Sequence, residues 1–362
     1  MLRLSELVRD SLLGREKKPF RGLILIWNLT NRCNLHCAHC YSSASGGAVE
    51  ELTQERIREV IEDLKREKVR YVILSGGEPL LRKDIFDIAR TLKDAGFKTS
   101  LSTNGLLIEE DNVQEIKKHF DYVGISIDGT PEMHDAMRGR KGSFQKSLRA
   151  LVLCMERGIK TGLRFTLTER TAGSLPFIFG LALELGVQRL YISHLVFSGR
   201  GAGLRGVERD RYREVSLFVV QKAIELVERG AELDVVTGNN ETDAVLLLKE
   251  FGRMYPERRA FMYELLRAWG GNQAGVRLAN IDHRGNVKPD PFFFHTLGNL
   301  KEKSFSRIWN SSRLLARLRE KPRRISGKCG ICPYIEICNG NSRARAYSVY
   351  GDYFAEDPAC YL

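Results

Sequence analysis

An α/β chain, built as a partial (β/α)6 TIM-type barrel followed by a small cysteine-bearing module, is the fold this sequence predicts. Three observations carry that expectation. Short apolar runs alternate with amphipathic helical patterns from residue 20 to about 230. Polar, glycine-rich motifs stand where several of those runs end, and cysteines gather near both extremes of the chain. Such β-α alternation calls for a parallel sheet with right-handed crossovers.

The elements follow in order. Residues 1–20 hold an amphipathic helix, with Leu4, Leu7, Val8 and Leu12 on the face expected to pack on the body of the protein. Arg3, Glu6, Arg9 and Asp10 interrupt any apolar core of a signal peptide. No apolar run approaches the roughly 20 residues of a membrane helix, so a cytoplasmic protein, not integral to a membrane, is expected. Strands are expected at 23–28, 71–75, 98–102, 122–127, 160–166 and 189–195, with helices at 53–67, 84–95, 111–119, 143–157, 175–185 and 210–228. Together they make the barrel, 21–230. Residues 231–281, mixed and glycine-rich, read as a bridge. Residues 282–362 form the cysteine-bearing module, entered through an apolar helical stretch at 305–318.

A chain of 362 residues suits one large domain plus a smaller module, and 43% hydrophobic with 28% charged residues is ordinary for a globular enzyme. The net charge of +12 raises the question of nucleic acid. The basic residues are spread along the chain without a recognisable nucleic-acid motif, so no such partner is expected. A substrate rich in carboxylates explains an arginine excess equally well, because the guanidinium fork matches carboxylate geometry. Cys154, in the apolar stretch LRALVLCM, reads as a buried structural thiol.

The remaining cysteines point to metal chemistry rather than disulfides. Cys33, Cys37 and Cys40 have CxxxCxxC spacing directly after the first expected strand. Three thiolates ligate three irons of a cubane and leave the fourth open. Zinc is the rival, with His36 or His39 as a fourth ligand, although zinc spacings are usually paired CxxC. Loop filling is the preferred reading of both histidines.

CxxxCxxC followed by Tyr41 resembles the signature of the radical S-adenosylmethionine superfamily. In that family the open iron is chelated by the amino and carboxylate groups of S-adenosylmethionine. One electron then releases methionine and a 5′-deoxyadenosyl radical that takes a hydrogen from substrate. Further motifs fall where such a core would place them. Gly76, Gly77, Glu78 and Pro79 resemble the GGEP motif, whose backbone and acid meet the methionine amino group. Ser102 and Asn104 (in STNG), and Ser126 and Asp128 (in SIDG), resemble strand ends that line the ribose and carboxylate. Arg164 is placed to pair with that carboxylate.

Near the carboxyl terminus, Cys329, Cys332, Cys338 and Cys360 supply four ligands, which would close a second [4Fe–4S] cluster completely. A structural zinc is the alternative. The spacing resembles the SPASM extension, whose full form carries seven cysteines and two auxiliary clusters. Here Ser342 replaces one expected cysteine, and none appears around 287–290. The resemblance therefore implies one auxiliary cluster, hence two [4Fe–4S] clusters in all. The vacated space beside the barrel mouth is expected to admit a bulky substrate.

The segments at 194–201 and 236–240, HRGNVKPDPFFFHTLGNL and the tail 339–361 resemble the tetrapyrrole-modifying branch, which includes NirJ of heme d1 biosynthesis and AhbC of alternative heme biosynthesis. The resemblance implies an iron tetrapyrrole substrate, 12,18-didecarboxysiroheme, and a low-potential electron donor of ferredoxin or flavodoxin type. Removal of acetates to give iron-coproporphyrin III is the expected reaction. Removal of propionates on the heme d1 route, or a SPASM peptide maturase, is the alternative. Candidate carboxylate partners are Arg200, Arg205, Arg284, Arg343 and Arg345; candidate iron ligands are His194, His283 and His295. Phe292, Phe293 and Phe294 could stack on a macrocycle. The direction of electron exchange with the auxiliary cluster stays open.

Overall fold

A computed structural model of the chain describes residues 1–16, 20, 22–47, 50–204 and 207–362. Its strands are β1 (Leu2–Arg3), β2 (Leu23–Thr30), β3 (Val69–Gly76), β4 (Lys98–Thr103), β5 (Tyr122–Ser126), β6 (Thr161–Leu167), β7 (Arg189–His194), β8 (Asp234–Gly238), β9 (Leu278–Ile281), β10 (Asn286–Lys288) and β11 (Gly298–Asn299). They form one sheet in the order β1-β8-β7-β6-β5-β4-β3-β2-β9-β10-β11. Strands β2 to β8 are parallel to one another, and β9 adds to β2 in the same sense. Among the described residues the antiparallel pairings, β1 with β8 and β10 with β9 and β11, lie at the two edges. This is the expected partial barrel, with its mouth at the carboxyl ends of the parallel strands.

The six expected strands appear within two residues of their expected limits, and β2 buries Leu25, Trp27 and Leu29. The segment at 231–281 departs from the expected bridge. It supplies β8, two helices (Thr242–Met254 and Arg259–Trp269) and β9, and so adds parallel strands to both sides of the barrel. Its five-residue β8 pairs with β7 on one side and β1 on the other.

The amino-terminal helix Leu4–Leu12 buries Leu4, Leu7 and Val8 on the body as expected, while β1 pairs with β8. The helix Gln54–Arg66 buries Ile57, Val60, Ile61 and Leu64, and the Thr53 side chain accepts the Arg56 N–H at 3.2 Å to cap it. The stretch expected to be helical at 305–318 is two helices, Phe305–Ser311 and Arg313–Leu318, with Ser312 capping the second.

A buried ion pair within the carboxyl-terminal tail also reaches the mouth. Arg345 clasps Asp357 through Nε (2.8 Å) and Nη2 (2.9 Å), and gives its remaining donors to the carbonyls of Leu195 and Asn239, just past β7 and β8. Among the described residues no helix is long and apolar enough to cross a membrane.

Candidate active site

The loop after β2 carries Cys33, Cys37 and Cys40. It is tied off where the Cys33 N–H donates to Ser45 O (2.8 Å) and the Ser45 N–H to Asn31 O (3.1 Å). Leu35, Cys37 and Leu106 form a small apolar cluster against which Cys33 and Cys40 pack. Burial, reinforced by the other two thiols, pushes Cys33 up to about 11 and raises Cys37. Three thiols close enough to oppose one another's ionisation, and partly withdrawn from water, are a donor set that a cationic iron cluster completes. The Ala44 N–H already points at Cys40 Sγ, 3.4 Å away.

Arg138 and Arg200 brace this loop. Arg138 directs Nη1 at Cys37 Sγ (3.6 Å) and Nη2 at the buried Asp128 (2.6 Å). His39 Nε2 lies 3.3 Å from the same carboxylate, and burial lowers its pKa to about 4, so the ring is neutral. Asp128, expected to face the cofactor, therefore serves the cluster loop: Arg138 and His39 take one oxygen, and the other accepts the Thr166 N–H at 2.8 Å. Arg200 is likewise corrected from a substrate contact to a brace. Its Nε donates to Cys37 O (2.9 Å), its Nη1 to Ala44 O (2.8 Å) and its backbone N–H to Cys40 O (2.9 Å). At Gly199 a Cβ would stand 2.4 Å from Tyr41 O, so only glycine permits this approach.

The motifs expected to receive S-adenosylmethionine converge on the mouth. A Cβ on Gly76 would lie 2.3 Å from Thr30 O, and one on Gly77 2.1 Å from Arg32 O, so both glycines let the turn lie flat against the cluster loop. Pro79 is buried and opens a 3-10 turn. Glu78 departs from expectation. Its carboxylate is fully buried and takes the Thr103 hydroxyl (2.8 Å) and the N–H groups of Leu80 (3.1 Å) and Asn104 (2.9 Å). It fixes the ends of β3 and β4. Burial raises its pKa to about 7. Asn104 Nδ2 donates to Asn34 Oδ1 at 2.7 Å, which joins the strand end to the cluster loop. Ser102 and Ser126 stand half-buried on β4 and β5. The Tyr41 hydroxyl donates to Asn28 Oδ1 at 3.2 Å. Arg164 lies with its guanidinium carbon 4.8 Å from the Tyr191 ring centroid and, among the described residues, pairs with no carboxylate. It is a half-buried cation free to take an anionic ligand.

The second cysteine set also converges. Cys329 lies within a 3-10 turn that Cys332 caps, Cys338 ends a short helix and Cys360 sits in the tail held by Asp357. Burial, with the other three thiols adding to it, pushes Cys338 up to about 12. At the positions where a full SPASM module carries further cysteines, Ser342 caps the helix Arg343–Tyr350 and donates its N–H to Asp357, while Asp290 accepts the Phe292 N–H. Both are buried among side chains, so the open space expected there is not found.

The substrate candidates divide. His194 is 2% exposed and gives Nε2 to Asp243 (2.9 Å), which also accepts the Tyr361 hydroxyl (2.7 Å); it is a core residue. Arg343 and Arg345 are fully buried in the tail. Arg205 lies outside the described residues. His283 is half-buried and Arg284 exposed, in the turn after β9. His295 is exposed, and two groups of aromatic contacts, joined through the backbone of Phe292 and Phe293, lie between it and the cluster loop. The Phe292 ring meets Tyr41 (centroids 5.1 Å apart); Phe293 stacks on Tyr353 (4.5 Å), and Tyr353 on Tyr347 (4.3 Å). Phe294 is 44% exposed beside Tyr347.

Sequence reasoning missed Arg138 and the helix Pro131–Arg138 that presents it. The helix signals were present: Thr130 as cap, Pro131 in the first turn and Gly139 in the left-handed conformation after the end. Nothing in the sequence marks which of 57 basic residues is buried against a thiol. Cys154 is buried as expected, and burial alone pushes it up to about 12.

Comparison with known proteins agrees with this architecture. The Radical SAM superfamily profile matches residues 27–173, and an iron-sulfur cluster-binding domain, SPASM, matches 273–333. The chain is 45% identical to the pre-heme d1 synthase of Dinoroseobacter shibae, over 94% of this chain and 86% of that one. It is 37% identical to the Fe-coproporphyrin III synthase of Methanosarcina barkeri, over 96% of this chain and 89% of that one. Streptococcus suis SuiB bound to S-adenosylmethionine shares the fold, with a TM-score of 0.72 at 18% identity, covering 94% of this chain and 77% of SuiB. The chain is therefore a member of the radical SAM superfamily, an enzyme with a SPASM iron–sulfur domain that uses [4Fe–4S] clusters and S-adenosylmethionine.

Proposed function

We propose that the chain removes carboxylate-bearing side chains from an iron tetrapyrrole, 12,18-didecarboxysiroheme, and that it acts on the propionates. The observation that carries this reading is the likeness to pre-heme d1 synthase along almost the whole chain, greater than that to Fe-coproporphyrin III synthase. It reverses the preference for acetate removal drawn from motifs alone. Removal of acetates stays as the second reading, because the latter relative is also matched at nearly full length.

In this reading Cys33, Cys37 and Cys40 hold the open-sided cluster, and Cys329, Cys332, Cys338 and Cys360 hold the closed one. The chemistry that the open-sided cluster and S-adenosylmethionine supply when bound is one-electron reductive cleavage, which gives the power to abstract an unactivated hydrogen; the electron comes from a ferredoxin- or flavodoxin-type donor. The protein's own residues orient and shield. Arg138 and Arg200 keep the cluster loop in one shape, and Arg164 offers its unpaired guanidinium to the carboxylate of S-adenosylmethionine. Tyr41 and Phe292 form an apolar wall between the cluster loop and the aromatic group around His295.

His295 is assigned the role of a hydrogen-bond donor rather than an iron ligand. The Tyr353 oxygen accepts the N–H groups of Phe294 (3.2 Å) and His295 (3.3 Å), so its proton goes to His295 Nδ1, 3.0 Å away. Burial pushes Tyr353 up to about 12, which keeps that proton in place. With Nδ1 accepting, a hydrogen of the imidazole falls on Nε2, which stands 3.5 Å from the Tyr347 hydroxyl at the surface, and this edge suits a substrate carboxylate. An iron ligand would need a bare Nε2.

The test is anaerobic turnover of reconstituted protein with dithionite, S-adenosylmethionine and 12,18-didecarboxysiroheme, followed by mass spectrometry of the tetrapyrrole. Loss of propionates is expected. Loss of acetates would favour the second reading, and an untouched tetrapyrrole beside normal release of 5′-deoxyadenosine would overturn the substrate.

A further inference from the structure

Arg343 is a charge without a partner of its own. The side chain is fully buried. Its Nε donates to Asn341 O (3.3 Å), and its Nη1 donates to Tyr353 O (2.9 Å) and Ala355 O (2.6 Å), which fixes the guanidinium in one plane. All three partners are neutral carbonyls. The nearby Asp357 gives both oxygens to Arg345. Nη2 is buried and, among the described residues, has no hydrogen-bond partner. Asp357 and Glu241 act on it only through space, without a direct ion pair among the described residues. A buried cation so placed, with an unmade hydrogen bond, is costly enough that proteins seldom keep one without a use.

The surroundings supply an anion. Arg343 follows directly on the turn after Cys338, and its guanidinium carbon would lie 3.3 Å from a Cβ placed on Gly340. Cys329 and Cys338 are the thiols whose charge it feels. Once these cysteines, with Cys332 and Cys360, bind iron as thiolates, the four negative charges outweigh that of the iron–sulfide core. The radical cluster offers a comparison within the chain: Arg138 points at Cys37 but is already neutralised by Asp128, 2.6 Å away. Arg343 has no such carboxylate.

We propose that Arg343 is a positioning residue for the auxiliary cluster, giving it through Nη2 a hydrogen bond and its main counter-charge, and so holding its reduction potential up. Extra negative charge on reduction is stabilised by a fixed donor and cation beside the sulfurs, so removing Arg343 makes the cluster harder to reduce. Through Nη1 the same guanidinium holds the carbonyl of Tyr353, whose hydroxyl serves His295, so the cluster and the proposed substrate contact share one anchor.

The experiment is an EPR-monitored redox titration of the full chain with both clusters reconstituted, in the parent, R343M and R343K. The radical cluster, identified by the change in its signal on adding S-adenosylmethionine, is the internal reference. The auxiliary midpoint is expected to move negative in R343M and part of the way back in R343K, with the reference unmoved. Coincident auxiliary midpoints in all three proteins at full iron and sulfide content would overturn the proposal. If R343M does not fold, R343K decides: an ammonium cannot satisfy the carbonyls and the cluster together, so an unmoved midpoint there overturns it equally. A parent protein that binds iron and sulfide for one cluster only would remove the proposal together with the assignment of the four cysteines.

Discussion

The hydroxyl of Tyr353 and Nδ1 of His295 are 3.0 Å apart, and the two backbone N–H groups on the phenol oxygen make Tyr353 the donor. The proton position at the exposed end of the imidazole is thereby set by a residue of the tail. Replacing His295 with Phe should remove one hydrogen bond to a charged group, about 1.5–3 kcal/mol, or roughly 10- to 100-fold in tetrapyrrole affinity. An anaerobic absorbance titration checks this. The iron ligand-field bands of the bound tetrapyrrole should be those seen with the parent; loss of an axial-nitrogen signature would make His295 a ligand instead.

Asp128 and Arg138 form the buried pair beneath Cys37. Asp128→Asn leaves a buried guanidinium with only a thiol and an amide, and breaking such a pair costs about 3–5 kcal/mol. The variant should melt at lower temperature and retain less radical-cluster iron. An unchanged melt with full iron content would mean that water or another group compensates.

Arg200 separates bracing from substrate binding. If its contacts to Cys37 O and Ala44 O are its role, Arg200→Ala lowers iron occupancy, while the protein that remains loaded keeps its KM for the tetrapyrrole. Full occupancy with a raised KM would restore it as a substrate contact.

How far the sequence could be read follows from these cases. Motifs whose chemistry needs a fixed spacing were legible: the two cysteine sets, and Gly76 and Gly77, where a Cβ would strike the neighbouring backbone. The roles of long polar side chains were not, because an arginine reaches several ångströms in any direction. Arg200, Arg343 and Arg345 look alike in sequence, yet one braces a loop, one holds a carbonyl of the tail and one clasps a buried aspartate. Glu78 and Asp128 misled for a related reason. A carboxylate at a strand end can face the ligand or turn inward to tie strand ends together, and only the donors around it decide. Strand β8 was hidden because its five residues, DVVTG, lie in a mixed, glycine-rich stretch outside the regular β-α alternation.

Asp290 gives a dependence on pH. Burial, with Glu241 adding to it, raises its pKa to about 7, against about 3.9 for an unfolded Asp. The native state therefore holds this proton more tightly than the unfolded chain. The stability linked to it is complete below about pH 4 and is lost as the pH rises through about 7, a change on the order of a few kcal/mol. Asp290→Asn should flatten that part of the profile and melt higher than the parent above about pH 7. Parallel profiles for the two proteins, compared by thermal melts between about pH 5 and 8, would contradict it.

The most direct test of the central claim follows the hydrogen. With 12,18-didecarboxysiroheme deuterated on its propionate methylenes, turnover should place deuterium in 5′-deoxyadenosine, read by mass spectrometry, while substrate labelled on its acetate methylenes should give none. Deuterium arriving from the acetates would contradict the proposed site of attack, and none from either position would contradict the tetrapyrrole side chain as the group attacked.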